Sequence, residues 1–348
     1  MDSTSGFWCS KPGCVDSAKG GCNNESDFHQ SKPTVVGGAV PYEPARRRRR
    51  FEADSSLRER LVSSAALLED HLERDDVMTE EGNVALANFP QPAYPRFEGK
   101  WVMVTGAGTG FGATLAERAA AEGANVIVHY NSSVEGAKKT AARIEARGRK
   151  AHIVRADLKS WEQIKAAADE AWEVSGGLDV LVNNVGDIAT DQMSWRDIRE
   201  EVIDRVLAVD IKGTMLMIHE HGERMLARGT GSIVNIASTV VVRGSPRAPQ
   251  YAAGKYGVIG LTKSYAAAFA PTVRVNAFGP GFMETESTLT REDWLNGRRE
   301  RVMNQTPMKR VPPPEELAAA ALWLATSEAS HMTGNFIMCD GGYSMIGA

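Results

Sequence analysis

The stretch WVMVTGAGTGFGATLAERAA, residues 101–120, joins a short apolar run to a glycine-rich loop and then to an alanine-rich segment. Its first four residues are β-rich, whereas the residues from Leu115 onward have the composition of a helix. Between them, Gly106 permits a tight turn and Gly110 lets an anion approach the backbone. Gly112 lets the helix lie close to the sheet, so its free N-terminal amides can face a phosphate. The stretch therefore predicts a strand, a phosphate-binding loop and a helix.

The same alternation of strand and helix continues after Pro95 to the end of the chain. Short β-rich runs recur, separated by segments rich in Ala, Glu and Lys. Strands this apolar are buried on both faces, which requires helices on both sides of a parallel sheet. We predict an α/β fold with a doubly wound parallel sheet of about seven strands and a ligand crevice at the carboxyl ends of the strands. The predicted strands are 101–104, 124–128, 152–154, 180–182, 232–235, 273–275 and 335–338, and the first predicted helices are 115–122, 137–147 and 161–174.

The composition narrows the class of protein. A net charge of -4 and a pI near 6.0 give no reason to expect a nucleic-acid partner. No apolar run approaches the roughly 20 residues needed to span a bilayer, and the first 30 residues lack the apolar stretch of a secretory signal. We expect a cytoplasmic protein without a membrane partner.

The chain before Pro95 differs in composition from the residues after it. The composition of residues 1–50 predicts a disordered tail that ends in the basic run Arg46 to Arg50. We interpret this run as a solvated linker, with a phosphate contact or a nuclear localisation signal as the alternatives. Residues 51–97 predict one amphipathic helix and a linker, and the helix is expected to pack on the main domain, residues 98–348, or on a second subunit. The apolar stripe of that helix consists of Leu57, Leu61, Ala65, Leu68 and Leu72.

Three of the four cysteines precede residue 23, which is not the pattern of a disulfide framework. Together with His29, the residues Cys9, Cys14 and Cys22 supply four potential zinc ligands. Their spacings lack the tight Cys-x-x-Cys pair of common structural zinc sites. We expect no metal, and we interpret these cysteines, like Cys339, as unpaired thiols.

A pair of polar residues on one predicted helix carries the chemistry. Lys255 follows Tyr251 by one helical turn, so both side chains lie on the same face. An ammonium near a phenol favours the phenolate, and Tyr251 can then pass a proton to or from a substrate oxygen. Ser238, a further hydroxyl residue, lies upstream of the pair.

These motifs in this order resemble the short-chain dehydrogenase/reductase family, most closely its 3-oxoacyl-carrier-protein reductase and glucose dehydrogenase branches. The resemblance covers about residues 98–348 and implies a single catalytic domain with a Rossmann fold. Asp157 matches the adenine-binding acid, Asn183 to Gly186 match Asn-Asn-Ala-Gly with Val for Ala, and Pro280 to Thr285 match the segment that holds the nicotinamide carboxamide. The implied cofactor residues are Gly106, Thr109, Gly110, Phe111, Gly112, Tyr130, Asn131, Ser132, Asp157, Leu158, Asn184, Val185, Gly186, Tyr251, Lys255, Pro280, Gly281, Phe282 and Thr285.

The catalytic set departs from the family at one position. The resemblance implies Ser238, Tyr251 and Lys255 as catalytic residues, with Lys255 also holding the nicotinamide ribose. The segment 209–213 puts Asp210 where the family has an Asn that completes the proton relay. Two interpretations stay open: Asp210 replaces that Asn and favours the protonated state of Lys255, or it is a structural helix residue.

The choice of cofactor depends on the end of the second strand. Members that prefer NAD present an acid near Tyr130, and none stands there. Asn131, Ser132 and Ser133 can hydrogen-bond a 2′-phosphate, although no Arg or Lys is adjacent to them or precedes Gly110. We expect NADP(H), with NAD(H) or dual use as the alternatives.

The substrate is weakly encoded. The segments that form the pocket in relatives, 187–195, 240–250 and 282–301, contain both apolar and basic residues. Apolar walls suit a hydrophobic ketone or alcohol, and arginines suit an anionic acid or carrier. The residues are Met193, Trp195, Val240, Val241, Phe282 and Trp294, with Arg243, Arg247, Arg291, Arg298 and Arg299.

The sequence thus predicts an NAD(P)(H)-dependent alcohol dehydrogenase or carbonyl reductase acting on a small molecule. The resemblance implies a homo-oligomer, a dimer or a tetramer. Two alternatives stay open: a catalytically idle nucleotide sensor on the same fold, and a protein whose arginine run and amphipathic helix bind a partner.

Overall fold

The computed structural model describes residues 95–188 and 194–345, and within them seven parallel strands form one sheet in the order β3-β2-β1-β4-β5-β6-β7. The predicted α/β doubly wound fold is confirmed. The strands are β1 Trp101–Val104, β2 Asn125–Tyr130, β3 Ala151–Arg155, β4 Val180–Asn183, β5 Gly231–Ile236, β6 Val273–Pro280 and β7 Phe336–Cys339. The expected N-terminal tail, its helix and its thiols lie outside the described residues.

Helices connect successive strands, as parallel pairing requires. The helices are α1 Gly110–Ala121, α2 Val134–Glu145, α3 Trp161–Ser175, α4 Glu200–Leu207, α5 Thr214–Arg228, α6 Val240–Arg243, α7 Pro249–Phe269, α8 Glu286–Leu289, α9 Arg299–Gln305 and α10 Pro314–Trp323. A π-helical turn, Ala208–Gly213, joins α4 to α5. In the part of the chain that is described, no helix is long and apolar enough to cross a bilayer.

The order of the strands produces the crevice. The chain winds outward from β1 to β3 and then returns to place β4 on the other side of β1. Connections that leave β1 and β4 therefore run in opposite directions, which opens a gap at the carboxyl ends of these two strands. The glycine loop follows β1 and the Asn-Asn-Val-Gly motif follows β4, so both lie at this gap.

Apolar packing covers both faces of the sheet. Val102 and Val104 of β1 contribute to one core cluster with Leu115 of α1, and Met103 contributes to the other with Ile164 of α3. All five side chains are fully buried. The alternation along β1 is that of a strand covered on both sides, as the apolar sequence predicted.

A chain of buried polar side chains crosses the sheet. The Asn183 amide donates to Oδ1 of Asn235 at 2.8 Å, and the Asn235 amide donates to Oγ1 of Thr262 at 2.9 Å. The Thr262 hydroxyl in turn donates to the carbonyl of Val258. Because an unpaired polar group in the core is costly, this chain specifies how β4, β5 and α7 fit together.

Candidate active site

The glycine loop after β1 has the backbone that its sequence predicted. Gly106 and Gly110 have φ values of +66° and +55°, in the left-handed region that favours glycine. A Cβ on Gly112 would lie 2.2 Å from the Gly106 carbonyl oxygen, so only glycine permits α1 to approach the loop this closely. A Cβ on Gly110 would meet nothing within 4 Å, so the backbone at that position borders open space that a phosphate group can enter.

Two side chains hold this loop in place. Thr105 accepts hydrogen bonds at Oγ1 from the amides of Asn184 and Val185, at 2.9 and 3.1 Å. His129 accepts from the Gly106 amide at Nδ1, over 3.1 Å, and its Nε2 is 3.1 Å from the Ala156 carbonyl. These contacts require a neutral imidazole with its proton on Nε2, and burial lowers the pKa of His129 to about 4. Sequence reasoning missed this histidine, although a polar residue in a buried strand was the available signal.

A cavity of about 430 Å³ lies against the loop at the ends of β1 to β4. Every predicted cofactor residue in the segments that follow β1 to β4, except Gly110, lines this cavity. Pro280, Gly281, Phe282 and Thr285 lie at and beyond the end of β6 and do not line the cavity. The lining residues are Gly106, Gly108, Thr109, Phe111, Gly112, His129, Tyr130, Asn131, Ser132, Ser133, Asp157, Leu158, Asn184, Val185, Gly186 and Val209.

A basic side chain missed in the sequence lies at the rim of this cavity. Arg155, the last residue of β3, pairs with Tyr130 in the parallel register of β2 and β3. Its Nε donates to the Asn131 carbonyl at 3.1 Å, and its side chain is exposed. The fold thus places a guanidinium at the end of β2, where the sequence has no neighbouring basic residue.

Lys255 is buried on α7, with 3% of its surface exposed. Its Nζ donates to the Ile236 carbonyl at 3.2 Å and lies 3.5 Å from Oδ2 of Asp210. The Nζ is 5.7 Å from the centre of the Tyr251 ring. A Cβ on Gly186 would lie 2.4 Å from the same Nζ. The ammonium is therefore enclosed between the phenol, the carboxylate and the lining of the cavity.

Asp210 is fully buried in the π-helical turn. Its Oδ1 accepts from the Asp187 amide at 2.7 Å, and its Oδ2 faces Lys255. Burial raises the pKa of Asp210, and the Lys255 ammonium and the Asp187 amide oppose that increase. Because π-helical turns widen a helix locally, this turn between α4 and α5 lets its side chain reach the lysine.

Ser238 and Tyr251 are half-buried and lie before and after α6 in the chain. Ser238 follows β5, and its Oγ accepts weakly from the Val240 amide at 3.4 Å. The Tyr251 ring packs against Val202 and Val206 of α4. These apolar contacts position the Tyr251 ring.

Phe282, predicted as a cofactor residue, lies in an aromatic cluster beyond β6. Its ring is 6.0 Å from that of Trp294 and 5.2 Å from that of Tyr343. The Arg298 guanidinium is 5.5 Å from its centre. The cluster forms an apolar wall with a cation beside it.

Comparisons with known proteins show which proteins the chain resembles. A family model described as enoyl-(acyl carrier protein) reductase matches residues 106–344. The 3-oxoacyl-[acyl-carrier-protein] reductase FabG of Staphylococcus aureus is 36% identical over 247 residues, which are 71% of this chain and 98% of that protein. Glucose 1-dehydrogenase 2 of Bacillus subtilis is 36% identical over 254 residues, 72% of this chain and 97% of that one. A solved short-chain dehydrogenase from Burkholderia cenocepacia J2315, in complex with NADP, is 29% identical with a TM-score of 0.66 and covers 71% of this chain and 99% of its own.

Proposed function

Because the chain belongs to the short-chain dehydrogenase/reductase family, we propose that it transfers a hydride between a nicotinamide cofactor and a carbonyl or secondary alcohol, with Tyr251 as general acid and base. The observation that carries the proposal is the buried Lys255 ammonium, which lies 5.7 Å from the centre of the Tyr251 ring and directly behind Gly186 of the cavity lining. A buried charge is costly unless it is paired or used, and this one faces the phenol that needs it.

The cavity fits a dinucleotide. A Cβ on Gly110 would meet nothing within 4 Å, so the loop backbone there is open to a diphosphate, and Asp157 lines the cavity where we expect the adenine. Lys255 lies where it can hold the hydroxyl groups of a ribose. The nicotinamide ring, when bound, supplies or accepts the hydride.

The side chains of this protein handle the proton. In the direction of reduction, Tyr251 donates its phenolic proton to the carbonyl oxygen of the substrate as the carbonyl carbon receives the hydride. The Lys255 ammonium stabilises the phenolate that remains. The Ser238 hydroxyl donates a hydrogen bond to the same substrate oxygen and stabilises the charge that develops there. Oxidation of the alcohol reverses each step.

Asp210 acts behind Lys255 as a positioning residue. Its carboxylate lies 3.5 Å from Nζ and is itself fixed by the Asp187 amide. A charged partner in a buried site holds the ammonium in place by electrostatic attraction, without contacting the substrate. In this proposal, a direct ion pair replaces the contact that an Asn makes in the family.

The cofactor in this proposal is NADP(H). An acid at the end of β2 would repel a 2′-phosphate, and the residues there are Tyr130, Asn131 and Ser132. Arg155 adds a guanidinium beside the Asn131 carbonyl, and guanidinium groups match phosphate geometry. NAD(H) remains the alternative.

Steady-state kinetics of Tyr251→Phe test the function. The substrate panel contains ketones, sugars, steroids and acyl thioesters, each with NADPH and NADH. We expect kcat to fall by about 100-fold or more, because a general acid contributes roughly that factor. The matched control is Tyr256→Phe, an exposed tyrosine on the same helix, which should retain wild-type kcat. A Tyr251→Phe protein that keeps more than about a tenth of wild-type kcat contradicts the proposal, and so does tight dinucleotide binding without any turnover across the panel.

Arg155→Gln tests the cofactor preference. We expect kcat/KM for NADPH to fall by about 10-fold or more and that for NADH to stay unchanged, because only the 2′-phosphate loses a charged partner. Arg147→Gln, an exposed arginine before β3, removes the same charge away from the cavity and should change neither. A wild-type preference for NADH by more than tenfold in kcat/KM refutes NADP(H).

The expected homo-oligomer and the cytoplasmic location also belong to the proposal. Sedimentation velocity distinguishes a dimer or a tetramer from a monomer. Fractionation of cells that produce the full chain tests the location.

A further inference from the structure

An ion pair between α4 and the segment after β4 leads to the buried lysine of the site. Nε of Arg205, on α4, donates to Oδ2 of Asp187 at 2.5 Å. The backbone amide of Asp187 donates to Oδ1 of Asp210 at 2.7 Å. Oδ2 of Asp210 lies 3.5 Å from Nζ of Lys255. A guanidinium on α4 is therefore linked to the buried ammonium through one aspartate and one carboxylate.

Both ends of this ion pair belong to elements that position the reacting groups. Asp187 follows Gly186, which lines the cavity and on which a Cβ would lie 2.4 Å from Nζ of Lys255. Arg205 lies on α4, whose valines pack against the Tyr251 ring. The ion pair therefore ties the helix behind the phenol to the segment beside the ammonium.

Exposure decreases from the ion pair to the lysine. The side chains of Arg205 and Asp187 are 39% and 21% exposed, whereas those of Lys255 and Asp210 are 3% and 0% exposed. The ion pair is therefore partly screened by solvent, and the pair behind it is not. Because Arg205 lies at the outer end, its side chain can be replaced without opening a cavity in the core.

The same contacts carry charge toward the phenol. Asp210 faces Lys255 on α7 and Asp187 after β4. Lys255 in turn faces Tyr251 on its own helix, and Asp187 faces Arg205 on α4. Burial raises the pKa of Asp210, the Lys255 ammonium lowers it, and the charge of Asp187 raises it. The positive charge of Arg205 opposes the charge of Asp187, since the two side chains are hydrogen-bonded.

We propose that Arg205 is a positioning residue: by fixing Asp187 it keeps the Asp210 carboxylate in place behind the catalytic lysine. This inference rests on the proposed function, since it concerns how the lysine of the same site is held. A displaced ammonium stabilises the Tyr251 phenolate less well, so the ion pair acts on kcat and not on cofactor binding.

Steady-state kinetics of Arg205→Gln and Arg205→Lys test the inference. Arg205→Gln should lower kcat by about 3- to 10-fold, as expected for a partly exposed ion pair, and leave KM for the cofactor unchanged. Arg205→Lys should recover part of this loss. The matched control is the ion pair of Arg310 and Glu316 at the start of α10, 2.7 Å apart with side chains 47% and 36% exposed. Arg310→Gln and Glu316→Gln should leave kcat unchanged.

The pH profile of alcohol oxidation distinguishes positioning from a merely structural role. Oxidation requires the Tyr251 phenolate, so the rate rises with pH as the phenol ionises. Arg205→Gln removes a positive charge and should move this rise to higher pH, whereas Asp187→Asn removes a negative charge and should move it to lower pH. Both variants disturb the same contact, so a merely structural role does not move the rise in opposite directions. Arg205→Lys retains the charge and should keep the wild-type profile.

A double variant locates the effect. In an Asp210→Asn background, Lys255 no longer faces a carboxylate, so the support that Arg205 gives to that carboxylate has nothing to act on. Arg205→Gln should then lower kcat further by less than about twofold. A full 3- to 10-fold loss in that background, about the size expected in the wild type, overturns the proposed route through Asp210.

Ionisation of Tyr251 is also measured without turnover, which separates this inference from the proposed function. The readout is the near-ultraviolet phenolate absorbance of each variant minus that of the same variant carrying Tyr251→Phe. Shifts of opposite sign for Arg205→Gln and Asp187→Asn support the inference even if no compound is turned over, and the proposed function then fails alone. Shifts of the same sign, or no shift in either variant, overturn the inference and leave the reductase intact.

Thermal unfolding establishes that each variant is folded. If Arg205→Gln does not fold, Arg205→Lys and Asp187→Asn decide. A shift to lower pH for Asp187→Asn with none for Arg205→Lys supports the inference, and any other combination overturns it.

Discussion

Replacing Asp210 by Asn removes a buried charge at nearly constant volume, and the structure predicts how the effect on stability depends on pH. The carboxylate is fully buried, and its partner Lys255 is 3.5 Å away. At an effective dielectric constant of about 20, their attraction is about 5 kcal/mol. Burial nevertheless raises the pKa of Asp210 above its ordinary value. The cost of desolvating the carboxylate therefore exceeds the stabilisation that the Lys255 ammonium and the Asp187 amide give it.

The sign of the pH dependence is set by the proton balance. In the unfolded chain, Asp210 titrates near a pKa of about 3.9, whereas the folded protein holds the proton to higher pH. Between the two pKa values the folded state binds more protons, so the free energy of unfolding falls as pH rises, by up to about 1.4 kcal/mol per pH unit. The Asn variant lacks this decrease.

Urea unfolding of both proteins from about pH 4 to about pH 8 measures the effect. The free energy of unfolding of Asp210→Asn minus that of the wild type should rise with pH across the window and then level off. Asp293→Asn is the opposing control, because the pKa of Asp293 is about 2, and its difference should stay constant above about pH 5. A difference for Asp210→Asn that is flat or falls with pH refutes the reasoning.

Two further predictions concern packing and a buried ion pair. Gly112→Ala places a Cβ 2.2 Å from the Gly106 carbonyl oxygen, so it should lower the free energy of unfolding by about 1–3 kcal/mol in chemical denaturation. It should also weaken NADPH binding in fluorescence titrations. The control Gly260→Ala has open space around its Cβ and should leave the free energy of unfolding unchanged or raise it. Glu122→Gln leaves two largely buried guanidinium groups without their carboxylate and should cost about 3–5 kcal/mol, while the exposed Glu98→Gln should leave the thermal midpoint unchanged.

Local patterns were sufficient for the fold. The runs at Trp101–Val104 and Val180–Asn183 are apolar on both faces, which only a covered parallel strand explains. Gly106 and Gly112 are required by a turn and a close approach within a few residues of chain. Such features depend on residues that are close together in the sequence, so they can be predicted from the sequence alone.

Other parts of the site depend on residues far apart in the chain. Arg155 reaches Asn131 only through the register of β2 and β3, and that register is not encoded in either strand alone. The sequence singled out Asp210, but not the Asp187 amide that fixes it. Arg243 and Phe282 were separate candidates for the pocket, and only the folded chain brings both against the Tyr343 ring. These contacts arise from tertiary packing, which overrides what sequence neighbours indicate.

The buried hydrogen-bonded chain from Asn183 to Thr262 resists rotation of α7 about its own axis. A helix that turns by one residue about its axis swings each side chain through about 100°, which would carry Tyr251 and Lys255 away from the cleft. Apolar contacts resist such a rotation weakly, since they have no direction. The hydrogen bond from Asn235 to Thr262 is directional, and breaking it would leave a buried amide N–H without an acceptor. The hydrogen bond to Thr262, about two helical turns after Lys255, therefore fixes the rotation of α7 about its axis and with it the direction of the Lys255 side chain.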